Sequence, residues 1–225
     1  MEMPLTLIPL QIFALLYAIV IHEWSHGYAA YKMGDYTAYH AGRLSLNPIH
    51  HIDLFGTIIL PGFLLISGSP FVFGYAKPVP VNPYNFKDYK KGEIIVSLAG
   101  PGSNLISVFV FTILYMLITK NPYEPSSSNY IAILLFFMIL INLVLFAFNL
   151  LPIPPLDGSH VLQMILPEKY ASKISQLGPY GFFIVILLLF LGVIRIYLGF
   201  ILFIYTMVTG LPINYIMYNI LNSFG

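Results

Sequence analysis

The stretch LTLIPLQIFALLYAIVIHEWSHGYAA, residues 5–30, decides the fold class of this chain. It is almost entirely apolar until it reaches HEWSH, which has the pattern HExxH. Because residues four apart lie on the same face of a helix, His22 and His26 can bind one metal ion, and Glu23 lies beside them as a general base. Ionisable groups are costly within a bilayer, so the pattern predicts a functional site that faces protein or water rather than lipid.

The composition is typical of a polytopic membrane protein. Of the 225 residues, 58% are hydrophobic and 8% are charged, and the mean hydropathy is +0.83. The formal net charge is +1, and the chain has no basic run interleaved with aromatic residues, which excludes a nucleic-acid-binding protein. The chain has no cysteine, so a bound metal must be held by His, Asp or Glu.

Several segments are long and apolar enough to cross a bilayer, which takes roughly 20 residues. They are residues 5–30, 93–118, 130–151 and 180–208. The N-terminal stretch lacks a positive n-region, so we expect it to be the first transmembrane helix rather than a signal peptide. The prediction is an all-α polytopic membrane protein with about four full transmembrane helices. It is one domain, residues 1–225, with a core at 5–165 and a C-terminal helix and tail at 180–225.

Two shorter segments lie between the first two predicted spans. Residues 54–66 are apolar but too short to cross the bilayer, and they predict a re-entrant or interfacial segment. Residues 71–81, FVFGYAKPVPV, are β-prone and interrupted by glycine and proline, which predicts a small β-hairpin at a sheet edge. Such an edge would pair with an extended substrate by β-strand addition.

The distribution of lysine and arginine predicts the orientation. The segment between the first two spans carries Lys32, Arg43, Lys77, Lys87, Lys90 and Lys91. The loop at residues 121–129 contains Glu124 and is preceded by a single lysine. The positive-inside rule therefore places the N-terminus of this cell-membrane protein outside and the HEWSH motif near the cytoplasmic side. The first and third spans then run in the same direction and bring His22, His26 and Asp157 to one depth.

A catalytic zinc ion usually has three protein ligands, so a third ligand is needed. Asp157 is the best placed candidate, within NLLPIPPLDG at residues 149–158. The three prolines remove backbone donors and disfavour a helix, which lets the carboxylate turn inward. The alternative is that Asp157 is an interfacial C-terminal cap in a Pro-Gly turn.

With these motifs the chain resembles the site-2 proteases, which are intramembrane zinc metalloproteases. The resemblance rests on HEWSH, NLLPIPPLDG, AGRLSLNP (residues 41–48), GYAKPVPVNP (74–83) and AGPGSN (99–104). It looks like the compact branch of that family, which lacks a PDZ or CBS domain. The resemblance implies one zinc ion per chain, held by His22, His26 and Asp157, and a transmembrane protein substrate that is cut within the lipid bilayer. The asparagine that matches Asn149 is associated in that family with substrate or oxyanion interactions.

Zinc would activate a water molecule, Glu23 would take its proton, and Asn149 would donate to the developing oxyanion. The rival interpretation of Asn149, and equally of Asn104, is a structural contact between helices. The alternative function is a metal-ion or proton transporter that uses the same His, Glu and Asp cluster. His160 is expected to support the site or to have no role, and His50 and His51 are expected at headgroup level and not as ligands. The sequence does not decide the substrate's identity or the oligomeric state.

Overall fold

A computed structural model describes residues 5–53, 56, 59, 76–119, 121–123 and 129–222. The α-helices within these ranges are α1 (Ile8–Met33), α2 (Thr37–His40), α3 (Tyr89–Ile118), α4 (Tyr130–Asn149), α5 (Asp157–Ile165), α6 (Glu168–Gln176), α7 (Gly181–Phe190), α8 (Val193–Thr209) and α9 (Ile213–Asn222). Short 3-10 turns lie at Leu5–Leu7, Pro48–His51, Pro83–Asn85 and Gly178–Tyr180. The described part of the chain contains no strand, and the expected all-α class is confirmed.

Helices long and apolar enough to cross a membrane are Ile8–Met33, Tyr89–Ile118, Tyr130–Asn149 and the run Glu168–Phe190. The first three correspond to predicted spans. Helix α4 has a side-chain N-cap, since Asn129 accepts a hydrogen bond from the Ala132 N–H at 3.1 Å. The helix ends at Asn149 because the prolines that follow cannot continue it.

The predicted fourth span, residues 180–208, is wrong as a single helix. Helix α7 ends at Phe190 and α8 begins at Val193, with Gly192 at a φ of +75° between them. Such a φ suits glycine and terminates a right-handed helix. Gly210 ends α8 in the same way, at a φ of +73°. The helices Val193–Thr209 and Ile213–Leu221 on either side of this break form a pair bent by 97°. If that pair is one broken span, the described residues contain up to five spans.

The predicted β-hairpin at residues 71–81 is not supported. Residues 76–82 have an irregular backbone without strand pairing, and residues 71–75 lie outside the described part. Without a strand, the predicted β-addition of substrate loses its support. The re-entrant segment predicted at 54–66 also lies outside the described residues, apart from Gly56 and Ile59.

The chain packs as two units, Met1–Ala18 with Pro101–Gly225, and Ile19–Gly100. The first unit has a large apolar core around α4, and its fully or almost fully buried members include Leu7, Tyr115, Ile133, Phe136, Phe137, Ile216 and Ile220. The second unit has a small core of Ala30, Phe86 and Val96. Each unit therefore buries apolar side chains of its own, and this burial stabilises its helices.

Within the first unit, a buried amide pair joins three helices. The Asn104 Nδ2 donates to Asn142 Oδ1 at 2.9 Å and to the Ala18 carbonyl oxygen at 3.0 Å. The Asn142 Nδ2 in turn donates to the Met138 carbonyl oxygen at 2.7 Å. Both asparagines have no exposed surface, so these bonds satisfy polar groups that would be costly to bury alone. Asn104 thus has the structural role that was left open against a role in catalysis.

Candidate metal centre and general base

The two histidines of HEWSH lie on one face of α1. Their Nε2 atoms are 3.0 Å apart, and the rings meet edge to face at an angle of 82°. His22 is buried, with 7% of its surface exposed. Two imidazole nitrogens that converge in this way, in a chain without cysteine, are suitable donors for a zinc ion.

The ring of His26 is oriented by a backbone carbonyl of α3. Its Nδ1 lies 2.7 Å from the Val96 carbonyl oxygen. Because a carbonyl oxygen only accepts, Nδ1 must carry the proton of this bond, and the neutral ring then has its lone pair on Nε2. Metal-binding histidines typically have this arrangement, since the second contact fixes both tautomer and orientation. The donor set in this unit therefore fits a zinc ion.

Gly100 makes room for both imidazoles. A Cβ on this buried residue would contact the Nε2 of His26 and would lie 2.7 Å from the His22 Nε2. A side chain at position 100 would therefore occupy the space that these two nitrogens face. The sequence singled out AGPGSN as a motif. The need for glycine at position 100 follows only from the packing of α3 against the two histidines of α1.

Glu23 is held by the irregular segment at residues 76–82. Its Oε2 accepts a hydrogen bond of 2.8 Å from the Val79 N–H. Val79 lies between Pro78 and Pro80, neither of which has an N–H to offer. The carboxylate is half-buried, and one of its oxygens is fixed by this bond.

Asp35 is a buried carboxylate that sequence reasoning missed. It has no exposed surface, and its oxygens accept from the Asn82 N–H at 2.7 Å, from Asn85 Nδ2 at 2.8 Å, and from both the N–H and hydroxyl of Thr37. Burial alone would raise the pKa of Asp35, but the hydrogen bonds from Thr37, Asn82 and Asn85 outweigh it and lower the pKa below its usual value. No sequence motif marked this residue, because its partners at positions 82 and 85 are distant along the chain.

Asp157 and Asn149 belong to the other unit. Asp157 is half-buried and opens α5, so the alternative that it is a C-terminal cap is wrong. The turn before it is tight, since a Cβ on Gly158 would contact the Leu150 carbonyl oxygen and lie 2.7 Å from that of Leu151. Asn149 is the last residue of α4, and its Nδ2 donates to the Leu145 carbonyl oxygen at 3.1 Å.

The remaining histidines of interest lie elsewhere. His51 is buried, and its Nε2 donates to the Ser45 carbonyl oxygen at 2.7 Å. His50 and His160 are exposed. The structure therefore brings together His22 and His26 within one unit, beside Glu23, while Asp157 and Asn149 are ordered parts of the other unit. The assignment of Asp157 as a ligand and of Asn149 as an oxyanion donor stays a prediction.

Comparisons with known proteins agree on one family. The family model described as peptidase family M50 matches residues 117–192. YwhC of Bacillus subtilis is 44% identical over 189 residues, which are 83% of this chain and 82% of the relative. Rip2 of Mycolicibacterium smegmatis is 30% identical over 176 residues and MJ0611 of Methanocaldococcus jannaschii is 35% identical over 149, each match covering 64% of the relative.

All three relatives carry the name "Putative zinc metalloprotease". No solved structure was found to match the chain. The names of the relatives favour a metalloprotease and do not favour the transporter that the sequence left open as an alternative.

Proposed function

This chain belongs to peptidase family M50, and on that premise we propose that it is an intramembrane zinc metalloprotease that hydrolyses a peptide bond within or next to a transmembrane segment of another membrane protein. The observation that carries the proposal is the pair of converging imidazoles of His22 and His26, with Glu23 beside them, on a helix long and apolar enough to cross a membrane. A soluble protease would have no reason to place these groups in such a helix.

One zinc ion per chain is held by His22, His26 and Asp157. The fixed Nδ1–H of His26, the room that the missing side chain of Gly100 leaves for both imidazoles, and the absence of cysteine support the two histidines as ligands. Asp157 contributes the carboxylate, which its place at the start of α5 keeps half-buried in the first turn. When bound, zinc polarises the scissile carbonyl and makes water more acidic.

Glu23 is the general base. It takes a proton from the attacking water and later passes it to the leaving amine. The Val79 N–H donates to Oε2, which uses one of the lone pairs of the carboxylate and leaves the others for the reacting water. Holding one oxygen in place keeps the other aimed at the reacting water.

The Asn149 amide donates a hydrogen bond to the developing oxyanion. An amide nitrogen has two hydrogens, and the bond to the Leu145 carbonyl oxygen uses one of them, which leaves the second for the substrate. A peptide bond in a helix is hidden by its own hydrogen bonds and side chains, so the substrate segment must unwind before attack.

The protein spans the cell membrane several times, with its N-terminus outside and the active site near the cytoplasmic side. The proposal rests on the lysines and arginine between the first two spans, which favour the cytoplasm. Cleavage of a model transmembrane substrate by the reconstituted full chain, with zinc measured in parallel, tests the function. Loss of cleavage in Glu23→Gln, with zinc retained, is the expected result.

A further inference from the structure

Residues 77–82, KPVPVN, form a segment that the rest of its unit fixes at both ends; we call it the KPVPVN segment. Pro78 and Pro80 have no N–H, so the segment has few backbone donors. The Lys77 N–H donates to the His51 carbonyl oxygen at 2.9 Å, and the Asn82 N–H donates to Asp35 Oδ2 at 2.7 Å. Val79, between these two anchors, donates to Glu23 at 2.8 Å.

The first end of the segment is held a second time through its carbonyls. The Arg43 Nη2 donates to the Lys77 carbonyl oxygen at 2.9 Å and to that of Pro78 at 3.4 Å. The φ of proline is restricted. Fixing the carbonyl groups of Lys77 and Pro78 therefore also limits the backbone conformations that are open to Val79. The start of the KPVPVN segment is therefore anchored independently of Asp35.

The other end depends on Asp35 alone among the carboxylates of the described residues. One carboxylate oxygen holds the Asn82 N–H, and the other holds the Asn85 Nδ2 at 2.8 Å and the Thr37 N–H at 3.1 Å. Asp35 lies two residues after the end of α1, the helix that carries Glu23. Asp35 thus ties Asn82, at the far end of the KPVPVN segment, to the end of α1. The middle of the segment, at Val79, contacts Glu23 on the same helix.

We propose that Asp35 is a positioning residue that acts on Glu23 through the KPVPVN segment, by keeping the Val79 N–H on the Glu23 carboxylate. The inference rests on the proposed role of Glu23 as general base and adds a residue that does not touch the substrate. Displacements of about 1 Å in a reacting group can cost on the order of 100-fold in rate, so the anchor has a catalytic consequence.

The first test compares kinetic constants of the full chain on a model transmembrane substrate. Asp35→Asn, which keeps the size of the side chain but replaces one acceptor oxygen, is expected to lower kcat by about 10- to 100-fold. The KM and the zinc content are expected to stay at the wild-type values, because Asp35 bonds to Thr37, Asn82 and Asn85 and not to the histidines. Asp88→Asn is the matched control: Asp88 Oδ1 accepts from the Lys91 N–H at the start of α3 and not from the KPVPVN segment, so kcat stays unchanged.

A second pair of variants asks whether Asp35 acts through the N–H of Val79. Val79→Pro removes that N–H, whereas Val79→Ala keeps it and shortens the side chain. If Asp35 acts through this bond, adding Asp35→Asn to Val79→Pro changes kcat by less than about 2-fold, because both substitutions disrupt the same hydrogen bond between Val79 and Glu23. Effects that multiply in the double variant, or a loss of zinc in Asp35→Asn, would overturn the inference.

Amide hydrogen exchange measures the contact without any catalysis. In the wild-type chain the Val79 amide is expected to exchange slowly, and Asp35→Asn to speed its exchange by at least about 10-fold, while the Asp88→Asn control does not. If Asp35→Asn leaves the exchange rate of the Val79 amide unchanged while Glu23→Gln is inactive, the inference about Asp35 is overturned and the proposed function is not. Full activity of Glu23→Gln would overturn the proposed function, and with it the catalytic role of Asp35.

Discussion

The Nδ1 of His26 donates a hydrogen bond of 2.7 Å to the Val96 carbonyl oxygen, so a backbone group of α3 sets the orientation of this imidazole on α1. The same helix turns Gly100 toward the imidazoles four residues further along. One carbonyl and one missing side chain therefore shape the candidate metal site, and neither belongs to the HEWSH motif. The proposed site consequently depends on α3 as much as on α1.

Gly100→Ala is expected to weaken zinc binding. The added Cβ would contact the Nε2 of His26 and lie 2.7 Å from that of His22, so at least one ring must turn away. Zinc affinity of the purified chain, measured by competition with a chelator, should fall by about 10- to 100-fold, as it does when the support of a ligand is lost.

Gly102→Ala is the control for Gly100→Ala, because a Cβ there would meet no atom within 4 Å. In a helix this change is neutral or stabilising by up to about 1 kcal/mol. Equal zinc affinities in the two variants would mean that Gly100 does not shape the site.

Asp157→Ala is expected to lose both zinc and cleavage, because the ion would keep two protein ligands instead of three. Zinc per chain, determined by elemental analysis after dialysis, is the measurement. His160→Ala, three residues along the same helix at an exposed position, should retain zinc. Full zinc occupancy in Asp157→Ala would show that another residue is the third ligand.

Asp35 gives a pH dependence of stability. Its pKa in the folded chain lies below the ordinary value of 3.8, so its contribution to the free energy of unfolding is present above that pH and is lost as the pH falls through the lowered pKa. The difference in Tm between the wild type and Asp35→Asn should therefore be largest near neutral pH and shrink below pH 3.8. A difference that stays constant over this range would contradict the assignment.

Asn142→Ala is expected to destabilise the first unit. It removes the Oδ1 that accepts from Asn104 at 2.9 Å and leaves a buried amide with one bond fewer, at a cost of about 1 to 3 kcal/mol. Thermal unfolding in detergent measures the loss. Asn219→Ala, which breaks an exposed bond to the Tyr123 carbonyl oxygen, should cost less than about 0.5 kcal/mol, and equal losses in both variants would contradict a special role for the buried pair.

The features that depend on local pattern could be predicted from the sequence. The first three spans follow from length and hydropathy, and the paired imidazoles follow from the four-residue spacing of HEWSH on a helix. The break at Gly192 could not be predicted in this way, because a single glycine in a long apolar run is usually tolerated within a helix.

The features that depend on distant contacts could not be predicted. The β-prone residues at 71–81 predicted a small hairpin, but in the described residues 76–82 the N–H groups of Val79 and Asn82 bond to the side chains of Glu23 and Asp35 instead of to a neighbouring strand. The role of Gly100 likewise exists only once α3 lies against the two histidines. Pattern alone identifies the reactive groups, and tertiary structure identifies what holds them.

The most direct test of zinc proteolysis compares the wild type with Glu23→Gln for cleavage of a model transmembrane substrate in liposomes, with zinc per chain measured in both. Glutamine keeps an oxygen that accepts from the Val79 N–H but cannot take a proton from water, so cleavage should fall by about 100- to 10,000-fold while zinc stays at one per chain. Cleavage at the wild-type rate by zinc-loaded Glu23→Gln would contradict the account.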